Sequence, residues 1–422
     1  MNHTAILPYT TVPPTNLCHP RRMTDSTIAI RTATETDWDA VALLDAHAFG
    51  FHPTAEDMAF TRRFARTEDV ILATDDDRPV AVVMHFAMRI TVPGGTQLDL
   101  PGVSWVSVAP THRRRGILRA LFTEQHRRFV AAGAPLSILT ATEATIYGRF
   151  GYGPATSELA VSVDRRSARI RDTAADPGGV ALVPPAAARP ALPGIYDRWQ
   201  ARTPGALARP QVYWDRMFAD LEHRRDDASA LFYLVHADGY AAYRRKHTQD
   251  GMVAVVDDLV AATDESYAAL WRVLAGMDLM REIRVDQAAD DPLPWLLTDA
   301  RLPRVTSRDD AVWVRIMDVP AALTARTFAV DLDVTLEVND PFLDAGGTFS
   351  LRVVDGRATV TRTDAPPQAR LDLDVLGSLY LGGHRARSFA RAGRLWTSDQ
   401  AVLDRLDLAF RADREPFAGW HF

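Results

Sequence analysis

Apolar and polar positions along the chain follow two periods, which predict short strands alternating with amphipathic helices. In the first half, short apolar runs predict strands at residues 28–31, 70–73, 80–88, 103–108, 136–140 and 159–163. Apolar residues recur at helical spacing after Thr36 and after Gly116, and a further helix is expected around Tyr147. Because strands and helices alternate in this way, we expect an α/β fold for this half.

The pattern changes at residues 174–194, which are rich in Ala, Pro and Gly and predict a linker or a long inter-domain segment. Beyond this segment, strands are predicted at residues 241–245, 253–259 and 282–286, and a helix at residues 266–277. A second α/β domain is therefore expected in the middle of the chain.

The last hundred residues have a different pattern of apolar and polar positions. Apolar and polar residues alternate strictly from Val330 to Val338, which is typical of a strand with one buried face. A second strand, at residues 349–353, is followed by Asp355-Gly356, a strong hairpin signal. Helices are predicted at residues 376–381, 384–392 and 399–410. We therefore predict domains at 27–172, 173–310 and 311–422, after a disordered tail or upstream sequence at 1–26.

Composition excludes several classes of protein. A chain of 422 residues needs two or three cores, and 47% apolar with 24% charged residues is ordinary for a soluble globular protein. The net charge of -6 argues against a nucleic-acid-binding surface. The single cysteine, Cys18, excludes an internal disulfide and a Cys-based zinc site. With no apolar run near the ~20 residues of a membrane span, we expect a cytoplasmic protein with no membrane or nucleic-acid partner and no metal.

The stretch after the strand at 103–108 has the features of a phosphate site. Three arginines, Arg113 to Arg115, precede Gly116, and a helix begins there. Free backbone N–H groups and the helix dipole favour an anion, glycine lets the backbone come close, and arginines supply forked charge. The alternative for Arg113 and Arg115 is solvated surface charge. The pattern predicts a pyrophosphate site without identifying its ligand.

Two motifs carry a family resemblance. Arg113-x-x-Gly116 after such a strand resembles the acyl-CoA signature of the GNAT N-acetyltransferases, although Leu118 stands where Gly or Ala is usual. About thirty residues later, Tyr147-x-x-x-Gly151-Tyr152 resembles the ending of the last GNAT helix. The two motifs in this order imply an acetyltransferase that uses acetyl-CoA as co-substrate.

Longer runs resemble the enhanced-intracellular-survival (Eis) family of N-acetyltransferases. They lie at residues 108–116, 146–156, 209–212, 291–294, 318–323 and 376–382, and the similarity extends from about Ile28 to Phe422. The resemblance implies an α/β (α+β) chain of tandem GNAT folds, the first active and the central one degenerate, with a C-terminal sterol-carrier-like domain. It also implies a homohexamer and a small-molecule amine substrate. Packing and assembly, rather than lipid binding, is the expected role of the C-terminal domain.

The resemblance and the strand edge together imply the acetyl-CoA-binding residues. The edge near Val106 would pair with pantetheine, the arginine–glycine segment would hold pyrophosphate, and Thr142 with Glu143 would face them. The full set is Val106, Ser107, Val108, Arg113, Arg114, Arg115, Gly116, Ile117, Leu118, Arg119, Thr142 and Glu143.

Acetyl transfer to an amine requires a base and an acid. An ordinary amine has a pKa near ~10.4, so only about one in 10³ is free base at pH 7. The resemblance implies that the C-terminal carboxylate of Phe422 takes the proton and that Tyr147 protonates the leaving thiolate. An α-carboxyl of pKa ~3.5 needs desolvation or a relaying water to act in this way. Glu143 is the alternative base, and His85, His112 and His421 are weaker candidates.

The substrate-binding residues implied by the resemblance are Phe49, Phe51, Phe60, Ser104, Trp105 and His421. Phe51, or its neighbour His52, stands where family members place an acidic residue, and His421 replaces a penultimate acid. We therefore expect acetylation of primary amines of polyamine- or aminoglycoside-like substrates, with altered aminoglycoside preference, or of lysine side chains. Two competing hypotheses are a CoA-binding sensor or scaffold without turnover and an acyltransferase that uses longer acyl chains.

Overall fold

A computed structural model describes residues 28–174 and 176–422 and contains three β-sheets. The expectation of a disordered tail at residues 1–26 lies outside the described residues. Within the described ranges, no helix is long and apolar enough to cross a bilayer. Both the mixed α/β character and the three-part organisation predicted from the sequence are confirmed.

The first sheet is built mainly from the N-terminal third of the chain. Its helices and strands are β1 (Ala29–Thr32), α1 (Trp38–Phe49), α2 (Ala55–Phe64), β2 (Val70–Asp75), β3 (Arg78–Thr91), β4 (Gln97–Val108), α3 (Ile117–Ala131), β5 (Leu136–Thr140), α4 (Ala144–Tyr147) and β6 (Gly153–Pro154). Helix α1 packs on β3 and β4 through Val41 and Leu44, as its apolar spacing predicts.

The second sheet follows. Its elements are β7 (Ser157–Asp164), β8 (Ala181–Val183), α5 (Pro185–Gln200), α6 (Gln211–Ala219), β9 (Phe232–His236), β10 (Gly239–Thr248), β11 (Gly251–Ala261), α7 (Asp264–Gly276), β12 (Met280–Gln287), α8 (Leu293–Leu296) and β13 (Pro303–Asp310). The strand order is β13-β7-β12-β11-β10-β9-β8.

The remaining elements begin with β14 (Val312–Ile316) and continue into a third sheet. They are α9 (Val319–Ala325), β15 (Leu332–Asn339), β16 (Gly347–Val354), β17 (Arg357–Arg362), β18 (Ala369–Asp372), α10 (Leu373–Tyr380), α11 (Ala386–Arg391), β19 (Leu395–Thr397) and α12 (Gln400–Ala409). The predicted hairpin is confirmed, since Asp355 (φ 50°) and Gly356 (φ 73°) both lie in the left-handed region between β16 and β17.

Two strands pair with strands of a neighbouring domain rather than with those of the domain to which the predicted boundaries assigned them. Strand β7, assigned to residues 27–172, pairs with β12 and β13 in the second sheet. Strand β14, assigned to residues 311–422, pairs with β5 and β6, so the first sheet reads β1-β2-β3-β4-β5-β14-β6. An apolar run identifies a strand but not its partners, because pairing is a long-range property.

The predicted linker at residues 174–194 is wrong in its second half. Helix α5 begins at Pro185, a favourable first helical position, and contains Pro190 and Pro193. Its buried residues, Ala188, Leu192, Ile195 and Tyr196, recur every three or four positions. Burial of this apolar face outweighs a cost of roughly 3 kcal/mol for each interior proline.

A buried ion pair joins the first sheet to the C-terminal domain. Arg315 of β14 donates from Nη2 to Oδ2 of Asp340 at 2.7 Å, and both side chains are fully buried. The guanidinium also lies over the ring of Phe342, 5.5 Å from its centroid. Removal of either charge would leave the other buried and uncompensated.

Candidate active site

Strands β4 and β5 separate in the middle of the first sheet. They pair in parallel only at Gly102 with Ile138 and at Val103 with Leu139. On its other side, β4 carries a bulge against β3 at residues 104–107, where Trp105 adopts φ 51°. The bulge bends the strand, and residues 104–108 are not paired with β5. An extended ligand with amide groups could therefore pair with this edge, as we expected for pantetheine.

A cleft of about 740 Å³ opens beside this edge and reaches the N-terminus of α3. Gly116 caps the helix at φ 78°, and an added Cβ would meet no atom within 4 Å, so its backbone faces open space. Eleven of the twelve predicted acetyl-CoA-binding residues line this cleft; Arg115 does not. The arginines that line it beside the glycine are Arg113, Arg114 and Arg119, which suits a pyrophosphate.

Tyr147 lies at the end of α4 and lines the cleft. Its side chain is 5% exposed, and its ring lies 6.2 Å from that of Phe122. Burial, helped by the charge of Glu143, raises the pKa of Tyr147 to about 12. The phenol therefore stays protonated at neutral pH and is available as a proton donor.

A small cavity shares the lining residues Val106, Thr142 and Tyr147 with the cleft, and we call it the reaction-centre cavity. Its volume is about 200 Å³, enough for a few water molecules. It is lined by Asp45, Phe49, Phe51, Val103, Ser104, Trp105, Val106, Leu139, Thr140, Thr142, Tyr147 and Phe422. The structure thus brings Tyr147 and Phe422, 275 positions apart in the sequence, to one cavity.

Phe422 reaches the cavity from the far end of the chain. The Thr140 hydroxyl donates to the backbone oxygen of Phe422 at 3.4 Å. The Phe422 ring lies edge-on to Phe86 and Trp420, with centroid distances of 6.5 and 6.2 Å. The aromatic residues at the end of the sequence therefore hold Phe422 against the first sheet.

The tail is also fixed by a polar network that the sequence did not reveal. Arg209, 7% exposed, donates to the Gly419 carbonyl at 2.6 Å and pairs with Asp258. Tyr240 donates a further hydrogen bond of 2.7 Å to Asp258. The only sequence signal was the run at residues 209–212, which contributed to the resemblance without indicating this contact.

A larger pocket of about 500 Å³ shares Ser104, Trp105 and Phe422 with the reaction-centre cavity, and we call it the acceptor pocket. Its lining includes Phe422 and four of the six predicted substrate-binding residues, which are Phe60, Ser104, Trp105 and His421. The other two, Phe49 and Phe51, line the reaction-centre cavity and are 42% and 47% exposed.

The aspartate side chains of the acceptor pocket already have cationic partners. Arg244 contacts both Asp220 and Asp257 at 2.7 Å, and Asp258 is paired with Arg209. His421 Nε2 lies 2.9 Å from Glu158 Oε2, and the hydrogen bond that His421 donates to this carboxylate raises the pKa of His421 against the opposing effect of burial. These aspartates therefore offer little uncompensated negative charge to a substrate.

The alternative bases are not among the residues that line the reaction-centre cavity. His85 is close to Asp69, at 3.4 Å, and His112 is bonded to Asp75 at 2.9 Å. Glu143 lines the cleft but not the reaction-centre cavity, and His421 lines the acceptor pocket. Among the described residues, no group of His, Cys, Asp and Glu is arranged to hold a metal ion.

Among the described residues that line the reaction-centre cavity, Asp45 has the one carboxyl side chain, and it was not predicted. It is 2% exposed, and burial raises its pKa to about 7. A signal was present in the sequence, because Val41, Leu44 and Asp45 follow the i, i+3, i+4 spacing of a buried helix face. A charged residue in such a stripe needs a structural or functional reason.

Comparison with known families agrees with this geometry. Models described as acetyltransferase (GNAT) domains match residues 29–155 and 205–316, and a sterol carrier protein domain model matches residues 319–419. The first match contains the cleft and Tyr147, and acetyltransferases of this type use acetyl-CoA.

Individual relatives match nearly the whole chain. The N-acetyltransferase Eis of Mycobacterium tuberculosis is 44% identical over 400 residues, covering 92% of this chain and 98% of the relative. An uncharacterized N-acetyltransferase of Streptomyces coelicolor is 35% identical over 409 residues, covering 93% and 98%. The crystal structure of Eis1 from Mycobacterium abscessus superposes with a TM-score of 0.84 at 32% identity, covering 94% of this chain and 100% of that one. The chain therefore belongs to the Eis family of GNAT N-acetyltransferases.

Proposed function

We propose that this enzyme transfers the acetyl group of acetyl-CoA to primary amines of small polyamine- or aminoglycoside-like molecules, or to lysine side chains. In this proposal Tyr147 is the general acid and the Phe422 carboxylate is the general base. The observation that carries it is the position of both residues on one cavity, between the acetyl-CoA cleft and the acceptor pocket.

The two sides of the reaction-centre cavity fit the two substrates. The unpaired edge of β4 and the open backbone at Gly116 suit pantetheine and pyrophosphate on one side. Trp105 and Ser104 line both the acceptor pocket and the cavity, so an amine could pass from one to the other. Holding both reactants in this geometry makes the transfer effectively unimolecular.

Acetyl transfer then requires that residues of the chain accept a proton from the amine and donate one to the thiolate. A proton passes from the amine nitrogen to the Phe422 carboxylate as the nitrogen attacks the thioester carbon. The Tyr147 hydroxyl gives its proton to the departing sulfur of CoA. Its raised pKa makes the transfer to a thiolate, whose usual conjugate acid has a pKa near ~8.5, uphill, so a confined geometry must assist it.

The acceptor pocket supports a preference for substrates of modest positive charge. Its aspartates are paired with arginines, and the hydrogen bond to Glu158 raises the pKa of His421. A polycation would therefore gain less here than in a pocket with free carboxylates. We propose that aminoglycosides are acetylated with a preference that differs from that of the mycobacterial relatives.

Acetyl-CoA-dependent thiol release with a panel of amines tests the function, with the acetylated product identified by mass spectrometry. The panel should contain a kanamycin-like aminoglycoside, a polyamine and a lysine peptide. We expect one acetylated amine for each thiol released. Tight binding of acetyl-CoA without turnover on any amine would favour the sensor or scaffold hypothesis, and competition by palmitoyl-CoA would favour the use of longer acyl chains.

We also propose a cytoplasmic homohexamer. The family resemblance supports it, as do exposed apolar side chains such as Leu279, Trp295 and Trp396, which a subunit interface would cover. Light scattering of the purified full chain tests the oligomeric state, and a monomeric mass at micromolar concentration would contradict the proposal.

A further inference from the structure

Asp45 is placed in the reaction-centre cavity without a partner for its charge. It lies on the buried face of α1, and its Oδ1 has no hydrogen-bond partner within the described part of the chain. The described residues that line this cavity include no Lys, Arg or His. A buried carboxyl group without a cation or donor is costly to the fold, and a substrate ammonium group would supply both.

The chemistry of the proposed function leaves one proton unassigned. An acceptor amine arrives as an ammonium ion and leaves as an amide, so its nitrogen loses two protons. The Phe422 carboxylate takes one of them as the bond to carbon forms. The other must leave earlier, because an ammonium nitrogen has no free electron pair with which to attack.

We propose that Asp45 is a second proton acceptor, which converts the acceptor ammonium ion to the free amine inside the reaction-centre cavity. This inference rests on the proposed function. One N–H bond of the ammonium ion breaks, its electron pair stays on nitrogen, and an O–H bond forms on Asp45. After the product leaves, Asp45 returns this proton to water.

The surroundings of Asp45 suit this role. Tyr147 and Phe422 are the other titratable residues on the cavity. Helix α1 carries two other titratable residues, Asp39 and His47, and both are exposed. It packs against β3 and β4. On these strands, Asp99 is exposed and His85 lies beside Asp69. Glu143 lines the adjoining cleft.

Burial also makes Asp45 a stronger base than an ordinary carboxylate. It raises the pKa of Asp45 to about 7. Proton transfer from an amine with a pKa near ~10.4 is then uphill by about three pKa units, compared with roughly six for an unperturbed aspartate. General bases are most effective when their pKa lies near the working pH.

The test compares two primary amines of different basicity. Asp45→Asn keeps the shape of the side chain and removes the proton acceptor; Asp39→Asn, on the exposed face of α1, is the matched control. For an ordinary alkylamine near pH 7, we expect kcat/KM of Asp45→Asn to fall about 10²-fold. For a fluorinated alkylamine that is mostly free base at that pH, we expect little change. The loss for the alkylamine should shrink as the pH approaches ~10, with acetyl-CoA binding unaltered.

Chemical rescue provides a second readout. Asp45→Ala leaves space beside the amine, and added formate should restore alkylamine turnover in that variant alone. An equal loss for both amines at every pH, or no loss for either, would overturn the role of Asp45 while leaving the proposed function intact. A parent enzyme that acetylates neither amine would instead overturn the proposed function.

Discussion

Arg209 donates a hydrogen bond of 2.6 Å to the carbonyl oxygen of Gly419, three residues before Phe422. Because Arg209 is buried and paired with Asp258, this contact fixes the C-terminal tail to the central domain. Trp420 adds a hydrogen bond from Nε1 to the Leu207 carbonyl at 3.2 Å. The position of Phe422 in the reaction-centre cavity therefore depends on residues more than 200 positions earlier.

Gly419→Ala should displace the tail. Gly419 has φ 79°, and an added Cβ would lie 2.7 Å from the Tyr196 hydroxyl and 2.8 Å from the Trp199 ring. We expect kcat to fall at least tenfold, since a displacement of about 1 Å at a reaction centre can cost ~10²-fold. Acetyl-CoA binding, measured by calorimetry, should not change.

Gly133→Ala is the matched control for this variant. Gly133 has φ 71°, but its Cβ would meet no atom within 4 Å. Both variants carry a backbone strain of about 1–2 kcal/mol, whereas only Gly419→Ala displaces the tail. Equal kcat values for the two variants would show that the tail position does not matter.

Arg114→Ala should weaken acetyl-CoA binding much more than Arg115→Ala. Arg114 lines the cleft beside Gly116, whereas its neighbour Arg115 does not. A charge-assisted hydrogen bond to a phosphate is worth roughly 1.5–3 kcal/mol, so we expect the KM for acetyl-CoA to rise at least tenfold in the first variant only. Steady-state kinetics at fixed amine concentration measures this, and a similar rise in both variants would refute the assignment.

Asp340→Asn should destabilise the enzyme by about 3–5 kcal/mol, because it leaves Arg315 buried without its counter-charge. Asp404→Asn is the control: it breaks a pair with Arg387 of the same 2.7 Å length, in which the side chains are 50% and 46% exposed. An exposed pair is worth roughly 0–1 kcal/mol. Urea unfolding measures both, and similar effects would contradict the role of the buried pair.

The stabilising effect of the Arg315–Asp340 pair should decrease at acid pH. Burial alone would raise the pKa of Asp340, but the hydrogen bond and charge of Arg315, together with backbone N–H donors of Ala345 and Phe342, outweigh it and lower that pKa. Its stabilising contribution is therefore present above the usual aspartate pKa of ~3.9 and is lost as the pH falls through the lowered value.

Asp45→Asn should stabilise the fold increasingly as the pH rises. The pKa of Asp45 is raised to about 7 in the folded state, above the ~3.9 of an unfolded aspartate. The folded parent thus binds more protons between these values and loses stability as the pH rises from ~4 to ~7. The urea midpoint of the variant minus that of the parent should grow across this range. A constant difference would show that burial does not perturb Asp45.

The acetyl-CoA side of the site was largely predictable from the sequence, because its determinants are local. A strand edge, a glycine at a helix N-terminus and nearby arginines lie within fifteen residues of one another. The exchange of β7 and β14 between sheets was not predictable, since pairing partners are set by packing over long distances. Helix α5 was not predicted because it contains prolines, although its apolar residues recur at helical spacing.

The acceptor side depended on tertiary structure. Its residues come from distant parts of the chain. Only the family resemblance brought together Phe60, Trp105 and Phe422, and it did not indicate that Arg209 holds the tail. Asp45 had a periodic signal but no motif, because its significance arises from a cavity formed by three other elements.

The most direct test of the account measures acetyl-CoA-dependent thiol release, with an alkylamine, by three proteins: the parent, Tyr147→Phe, and a form with one extra residue after Phe422. We predict that both variants lose about 10²-fold or more in kcat while binding acetyl-CoA as tightly as the parent. An extended protein as active as the parent would contradict the account, because the α-carboxylate of Phe422 would then not be the base.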